Sequence, residues 1–552
     1  MEPLPSNSGS FVIPQRPNWQ VYVCGAVCVL ALIIFAGLFA PQQALWGDEA
    51  TQLSGLTLGP VNVVYWLAGE EDHHFGVPPD RMPPLSYWCG FLWSKIFGFH
   101  EMGFRWMGLL VTAVGVGFVY ETIRRIYGTL PALLGGLVFA LSPNVITMAV
   151  EIRAYPFFLT FSAIAFYCMV RILEELDAYR TKWVVALIFS LSAAMYTHFF
   201  GVVVTAAIVV SLLVMAWRVQ ARMKPILVAG GLLFIVFIGL IPFVVAAFGL
   251  GSPGAIERNQ IRELVRLVYR LFSHASLTVY GIVFAGALAS AAVLLGASLM
   301  RKVRKTYVEH GVLLALVVGF VCVAFANFAV NGFKSAEVTY NVWMLPGVAI
   351  LIGSAMTVQH PSISVVVRAV GMLLVAMNLI GATQLVANGD AFSHGPSARI
   401  EPIVEQCDVG QTAIIHEHPL VAQVYFPLRY RFGKHFRQWV HDPVTDSMSE
   451  DNGLVVRRMP SQRIHDDAEN FDNRYLIVVN ARNLGAIELK EQLYQTIPFE
   501  DGPITEALLK SPKWERVDEQ FFIGWVGATV DVFQRTGVGS TPTTDSTVPS
   551  FN

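Results

Sequence analysis

Two adjacent carboxylates, Asp48 and Glu49 in the stretch LWGDEA, are the first residues in the chain whose chemistry invites a role. A carboxyl group near an apolar wall has its pKa raised and can take a proton from a substrate hydroxyl. Its neighbour can orient it, hold a sugar hydroxyl or bind a divalent cation. On spacing alone the pair could equally be a solvated helix start, where acids complement the N-terminal dipole. The stretch EIRAYP adds Glu151, Arg153 and Tyr155. A guanidinium forks two parallel hydrogen bonds onto a phosphate, and the ordinary alternative is an ion pair of Arg153 with Glu151. His198, in the tight turn YTHFFG, could touch substrate or metal or be structural. Lys334 and Tyr340, in GFKSAEVTYNVWMLPG, complete the set, although a lone lysine can simply snorkel.

The elements that must position these residues follow from composition. Of 552 residues, 54% are hydrophobic and 14% charged, and the mean hydropathy of +0.53 is that of a chain dissolved in lipid. The net charge of -2 gives no argument for a nucleic-acid partner. Runs long enough to cross a bilayer predict about eleven transmembrane helices. They are Val21 to Ala40, Trp106 to Tyr120, Leu130 to Ala149, Tyr155 to Val170, Trp183 to Tyr196, Phe199 to Trp217, Pro225 to Phe248, Leu277 to Leu299, Val312 to Val330, Val342 to Thr357 and Val365 to Val386. With the N-terminus inside, the alternate short loops collect Arg124, Arg125, Arg171, Arg180, Lys182, Arg218, Arg222, Lys224, Arg301, Lys302, Arg304, Lys305 and Arg368. That bias is the cytoplasmic signature. It sends all the candidate clusters to the opposite, extracytoplasmic face.

The expected organisation is a cytoplasmic N-terminus over 1–20, a transmembrane domain over 21–386, an extracytoplasmic α/β domain over 387–536 and a disordered tail over 537–552. A first extracytoplasmic loop over 41–105 is long enough to be functional and carries interfacial helices, among them Pro83 to Phe97 with its mixed aromatics. Arg258, Arg262, Arg266 and Arg270 recur at i,i+4 along one predicted helix face. They either snorkel to lipid phosphates or guide an anionic lipid substrate. In the last region, short apolar runs such as Thr412 to Ile415 and Tyr475 to Val479 read as strands, with Val526 to Phe533 the last. Cys89 and Cys407 are the only extracytoplasmic cysteines, and free thiols are expected.

The ordered motifs WGDEA (Trp46 to Ala50), PPLSYW (Pro83 to Trp88), EIRAYPFFL (Glu151 to Leu159), YTHFFG (Tyr196 to Gly201) and TYNVWMLPG (Thr339 to Gly347) carry a resemblance. The chain is similar to the GT-C membrane glycosyltransferases, specifically bacterial members similar to protein mannosyltransferases and to the aminoarabinose transferase of lipid A. The resemblance implies the GT-C fold, an enzyme of the bacterial inner membrane, and a polyprenyl-phosphate sugar donor used at an extracytoplasmic site. Asp48 matches the family's catalytic acid. It would deprotonate a lipid, glycan or protein acceptor that attacks the anomeric carbon with inversion, while Arg153 and Lys334 hold the departing phosphate. A divalent cation could share that task, with Glu49 as a ligand or as the group that orients Asp48. Relatives often show a histidine before the two prolines, where this chain has Met82, which leaves His73 or His74 as substitutes.

A transporter or flippase is the rival from another class, and a non-catalytic binding protein of the same fold is a third reading. Transporters often show two related halves and helices broken at the midplane. One long loop, motifs clustered on one face and a single terminal domain favour the enzyme.

Overall fold

The computed structural model describes residues 18–43, 45–70, 80–175, 180–249, 264, 267, 271, 306–329, 338–357, 361–389, 400, 402–405, 409–416, 437–442, 447–451, 456–460, 471–483, 501–522 and 526–536. Helix α1 (Asn18–Phe39) is apolar on every side and gives way to a single 3-10 turn at Ala40–Gln42, where Pro41 interrupts the ladder. Three short helices follow: α2 (Gly47–Leu56), α3 (Gly59–Leu67) and α4 (Leu85–Phe97). Helix α4 buries Ser86, Tyr87 and Gly90 while exposing Leu92, Ile96 and Phe97, and α3 exposes Val61 and Tyr65. Exposed apolar faces on short helices suit the headgroup layer.

The bundle continues with α5 (Glu101–Tyr127), α6 (Thr129–Ala140), α7 (Pro143–Val150), α8 (Tyr155–Glu174), α9 (Thr181–Thr197), α10 (Gly201–Arg218), α11 (Lys224–Ile238) and α12 (Ile241–Gly249). Helices α13 (Thr306–Ala329), α14 (Val338–Asn341), α15 (Met344–Ala355) and α16 (Pro361–Asn388) complete its described part. Six described helices are long and apolar enough to cross a bilayer, or eight if each of two bent pairs is one span; the predicted fifth and tenth spans fall on the shorter apolar helices α9 and α15, and the eighth, Leu277 to Leu299, lies outside the described residues. Two helix pairs are bent at a short break: α6 and α7 meet at 59°, α11 and α12 at 50°. Pro143 and Pro242 explain both, because proline has no N–H to give the ladder and its ring clashes with the preceding turn.

Helix α8 is the buried centre and packs most closely on α5 and α9. Lipid is as apolar as leucine, so close backbone approach and interhelical hydrogen bonds hold such helices together. Thr160 Oγ1 on α8 donates to Val111 O on α5 at 2.8 Å. Gly108 serves the same contact, since a Cβ there would lie 2.6 Å from Ala149 O and 3.0 Å from Pro156.

The C-terminal region, expected to be α/β, carries a seven-stranded mixed sheet. Its strands are β1 (Thr412–His416), β2 (Arg437–Asp442), β3 (Ser447–Asp451), β4 (Val456–Pro460), β5 (Tyr475–Asn483), β6 (Trp514–Phe522) and β7 (Val526–Arg535). The order is β4-β3-β2-β1-β5-β7-β6, with β1 parallel to β2 and β5 and the outer pairs antiparallel. All five residues of β1 are buried, as expected of a central strand covered on both faces. Helix α17 (Pro503–Lys510) adds Ile504 and Leu508 to a core with Trp439, Phe471 and Phe533. Cys89 is a free thiol, and Cys407 lies outside the described residues.

Candidate active site

Asp48 and Glu49 both fall in the first turn of α2, where their charge complements unpaired N–H groups. A helix turns about 100° per residue, so neighbours in sequence point in different directions. Asp48 has 52% of its side chain exposed, while Glu49 is fully buried. Glu49 receives a two-pronged ion pair from Arg105, with Nη1 to Oε1 at 2.9 Å and Nη2 to Oε2 at 3.1 Å. Its Oε1 also accepts the Ile152 N–H at 2.8 Å. Burial raises the Glu49 carboxyl above its ordinary value, against the opposing pull of Arg105. Arg105 also donates to Glu101 Oε1 at 2.8 Å and to Val150 O at 3.0 Å. This knot ties α2, the start of α5 and the end of α7 into one corner.

Arg153 follows α7 in the short link to α8 and is buried. Its Nη1 donates to Asp80 Oδ2 at 2.6 Å and to Asp48 O at 3.1 Å, and its Nη2 lies 3.5 Å from Asp48 Oδ2. Asp80, buried at the foot of α4, also accepts the Tyr87 hydroxyl at 2.6 Å and the Arg81 N–H at 2.8 Å. Burial would lower the Arg153 pKa, but Asp80 and then Asp48 outweigh it and hold the guanidinium firmly charged. Burial, reinforced by Asp80, pushes the Tyr87 hydroxyl well up, so it stays protonated and donates. An ion pair with Glu151 was the ordinary alternative to a phosphate for Arg153. The ion pairs among the described residues run instead to Asp80 and Asp48.

His198 caps the end of α9 in the predicted tight turn, closed by the Gly201 N–H to His198 O at 2.7 Å. Gly201 is obligatory there, because a Cβ would sit 2.5 Å from the Ala194 backbone. The imidazole is boxed by Phe158, stacked at 5.0 Å between centroids, and by Tyr340 at 5.3 Å, Tyr155 at 5.6 Å and Phe200 at 5.7 Å. Its Nδ1 accepts the Phe200 N–H at 3.1 Å, which assigns the remaining proton to Nε2. Burial, helped by the Arg153 charge, lowers its pKa from 6.5 to about 3. The folded ring is therefore neutral across the physiological range.

A pH prediction follows. Above 6.5 folded and unfolded rings are both neutral, whereas between 6.5 and about 3 only the unfolded ring gains a proton. Stability should thus fall as pH drops through that window. In detergent unfolding curves from pH 7 to pH 4, the wild type should lose melting temperature more steeply than His198→Gln, which has nothing to titrate there.

The structure brings together Asp48, Glu49, Glu151, Arg153, Tyr155, His198 and Tyr340 at one end of the bundle. The basic residues Arg124, Arg125 and Arg171 sit at the opposite ends of α5 and α8. Lys334, Arg262, Arg266, His73 and His74 lie outside the described residues. The expected metal role of Glu49 finds no room, because Arg105 and the Ile152 N–H occupy its oxygens. Between Asp48 and Asp80, the position a cation would take is filled by the Arg153 guanidinium. No group of three potential ligands occurs among the described residues. Among the described residues Glu49 is therefore committed to Arg105 and Ile152 rather than open to a divalent ion, and His74, the other expected ligand, lies outside them.

The bundle, its bent helix pairs and the terminal sheet define a membrane protein with the fold of the ArnT crystal structures. Residues 81–245 match the family described as dolichyl-phosphate-mannose-protein mannosyltransferase. The apo crystal structure of ArnT from Cupriavidus metallidurans is similar at 13% identity and a TM-score of 0.56, over 93% of this chain and 98% of that one. The same protein bound to undecaprenyl phosphate is similar at 15% identity and a TM-score of 0.53, with the same coverage. No curated protein matches by sequence.

Proposed function

We propose that the protein is a glycosyltransferase that moves a sugar from a polyprenyl-phosphate donor to an acceptor outside the cytoplasm, with inversion at the anomeric carbon. The observation that carries the reading is Asp48: a half-exposed carboxylate held beside a buried, permanently charged arginine at the mouth of the bundle. Asp48 takes the proton from the acceptor hydroxyl or amine as that group attacks, and the polyprenyl phosphate leaves from the opposite side. Arg153 orients Asp48 and adds positive charge where the phosphate departs. Lys334 is assigned to the same phosphate, and Arg262 and Arg266 to guiding the anionic lipid in. Glu151, Tyr155, His198 and Tyr340 shape the substrate cavity, His198 as a neutral Nε2–H donor. Glu49 holds the corner rigid.

The basic ends of α5 and α8, opposite the site, support a cytoplasmic N-terminus and an extracytoplasmic active site; on the same reading the C-terminal domain is extracytoplasmic and the membrane is a bacterial inner membrane. The decisive experiment incubates purified protein with a panel of polyprenyl-phosphate sugars and membrane extract, with the modified product identified by mass spectrometry. Transfer from a nucleotide sugar without any lipid donor would sink the donor assignment. Asp80 supplies a second test. Asp80→Asn should cut turnover roughly tenfold or more by loosening Arg153, and Tyr87→Phe, which removes one hydrogen bond to a charged acceptor, should do so less. Equal rates in wild type and both variants would remove Asp80 from the site.

A further inference from the structure

Behind Asp48, one helical turn along α2, Gln52 is buried and lines a small cavity with Ser86, Glu151, Arg153, Phe104 and Phe157. The cavity has room for about one water-sized group. Among the described residues, Gln52 Oε1 and Arg153 Nε have no hydrogen-bond partner. The rest of both groups is committed. Gln52 Nε2 donates to Ser86 Oγ at 3.3 Å, and the two Nη atoms of Arg153 serve Asp80 and Asp48. A buried orphan donor costs free energy, and so does an orphan acceptor; an orphan of each kind lining one cavity calls for an occupant that satisfies both.

We infer that this cavity is a binding site for a single hydroxyl group, which accepts from Arg153 Nε–H and donates to the Gln52 amide oxygen. The chemistry selects that class. An anion would meet the Glu151 carboxylate, a cation would meet the Arg153 guanidinium, and a methyl group would leave both orphans unpaired. A hydroxyl both gives and takes, so it suits the amide in either orientation. Two sources share this chemistry: a water molecule, or a hydroxyl of the sugar being transferred. In the second case the site rests on the glycosyltransferase reading, and Gln52 becomes a specificity residue one turn from the proposed base.

The test has two arms. The first is a high-resolution structure of the full-length wild-type protein without substrate, which needs no turnover and so stands or falls apart from the glycosyltransferase reading. The expected result is ordered density about 2.7–3.2 Å from both Arg153 Nε and the Gln52 amide. An empty cavity, or one closed by its apolar walls, would overturn the inference. The second arm takes the polyprenyl-phosphate sugar that proves to be transferred. If its hydroxyl is the occupant, the density is replaced by the sugar in the complex, and Gln52→Met raises KM roughly three- to tenfold, as the loss of one neutral hydrogen bond requires. If the occupant is water, the density persists in the complex, KM is unmoved and Gln52→Met lowers the melting temperature. A Gln52→Met protein with unchanged KM and unchanged melting temperature would overturn both versions, and Ser86→Ala repeats the comparison if Gln52→Met does not accumulate.

Discussion

Asp48→Asn is expected to lower glycosyl transfer by roughly 10²- to 10⁴-fold, the usual contribution of a positioned general base, with little change in melting temperature. Both halves of that expectation come from geometry. The side chain is half exposed and lies 3.5 Å from Arg153, so its ion pair is a weak contributor to stability. Asparagine has nearly the same shape and leaves the Arg153 contact to the Asp48 backbone oxygen in place. What it removes is the ability to accept a proton. Transfer assayed with the best donor of the panel, with thermal unfolding alongside, separates the two effects. If transfer continues at the wild-type rate, the base lies elsewhere, and Asp80, the other carboxylate on the same guanidinium, is the group to examine next.

Arg105→Met has the opposite profile. It leaves Glu49 buried without its charge partner, a situation that costs about 3–5 kcal/mol. The protein should unfold at a much lower temperature in detergent and accumulate poorly in membranes. Glu49→Leu combined with Arg105→Met should recover part of that loss, since a buried ion pair exchanged whole for apolar groups is often close to neutral. A single Arg105→Met protein as stable as wild type would mean that the pair is not what holds the corner together. The two adjacent acids are thus separable by experiment: one variant loses turnover and keeps its fold, the other loses its fold.

The membrane architecture was legible because lipid imposes a simple rule, about 20 apolar residues per crossing, and α1, α5, α8, α10, α13 and α16 obey it. The bends at Pro143 and Pro242 were visible as residues, but apolar length carries no information about angle. The site was legible in part. Arg153 with Tyr155, His198 and Tyr340 come from three separate stretches of sequence, and the inside-outside alternation of spans expected them on one face; the structure brings the three rings together. The pairing of Asp48 with Glu49 misled, because adjacency in a helix separates side chains rather than joining them. Asp80 gave no signal: it stands in a proline-rich stretch without periodicity, and its importance appears only when Arg153 and Tyr87 arrive from other elements. Arg105 did leave one. A hydropathy reading starts the second span at Trp106 and treats Arg105 as its flank, yet α5 begins at Glu101 and draws the charge inside, where an ionisable residue implies a partner.

That buried knot also bears on how the chain enters the membrane. An arginine drawn into a crossing segment resists transfer from the translocon to lipid, by about 2.5–3.5 kcal/mol at the centre of a helix and less towards its end. Glu49 lies 56 residues upstream of Arg105, so it has left the ribosome before the arginine does. The first crossing, the α2 turn and the second crossing can therefore be handed to the bilayer as a neutralised hairpin, with Val150 and Ile152 closing the knot only when the third crossing follows. The corner that fixes the site in the finished protein can, on this order of events, be half formed before the third crossing is made.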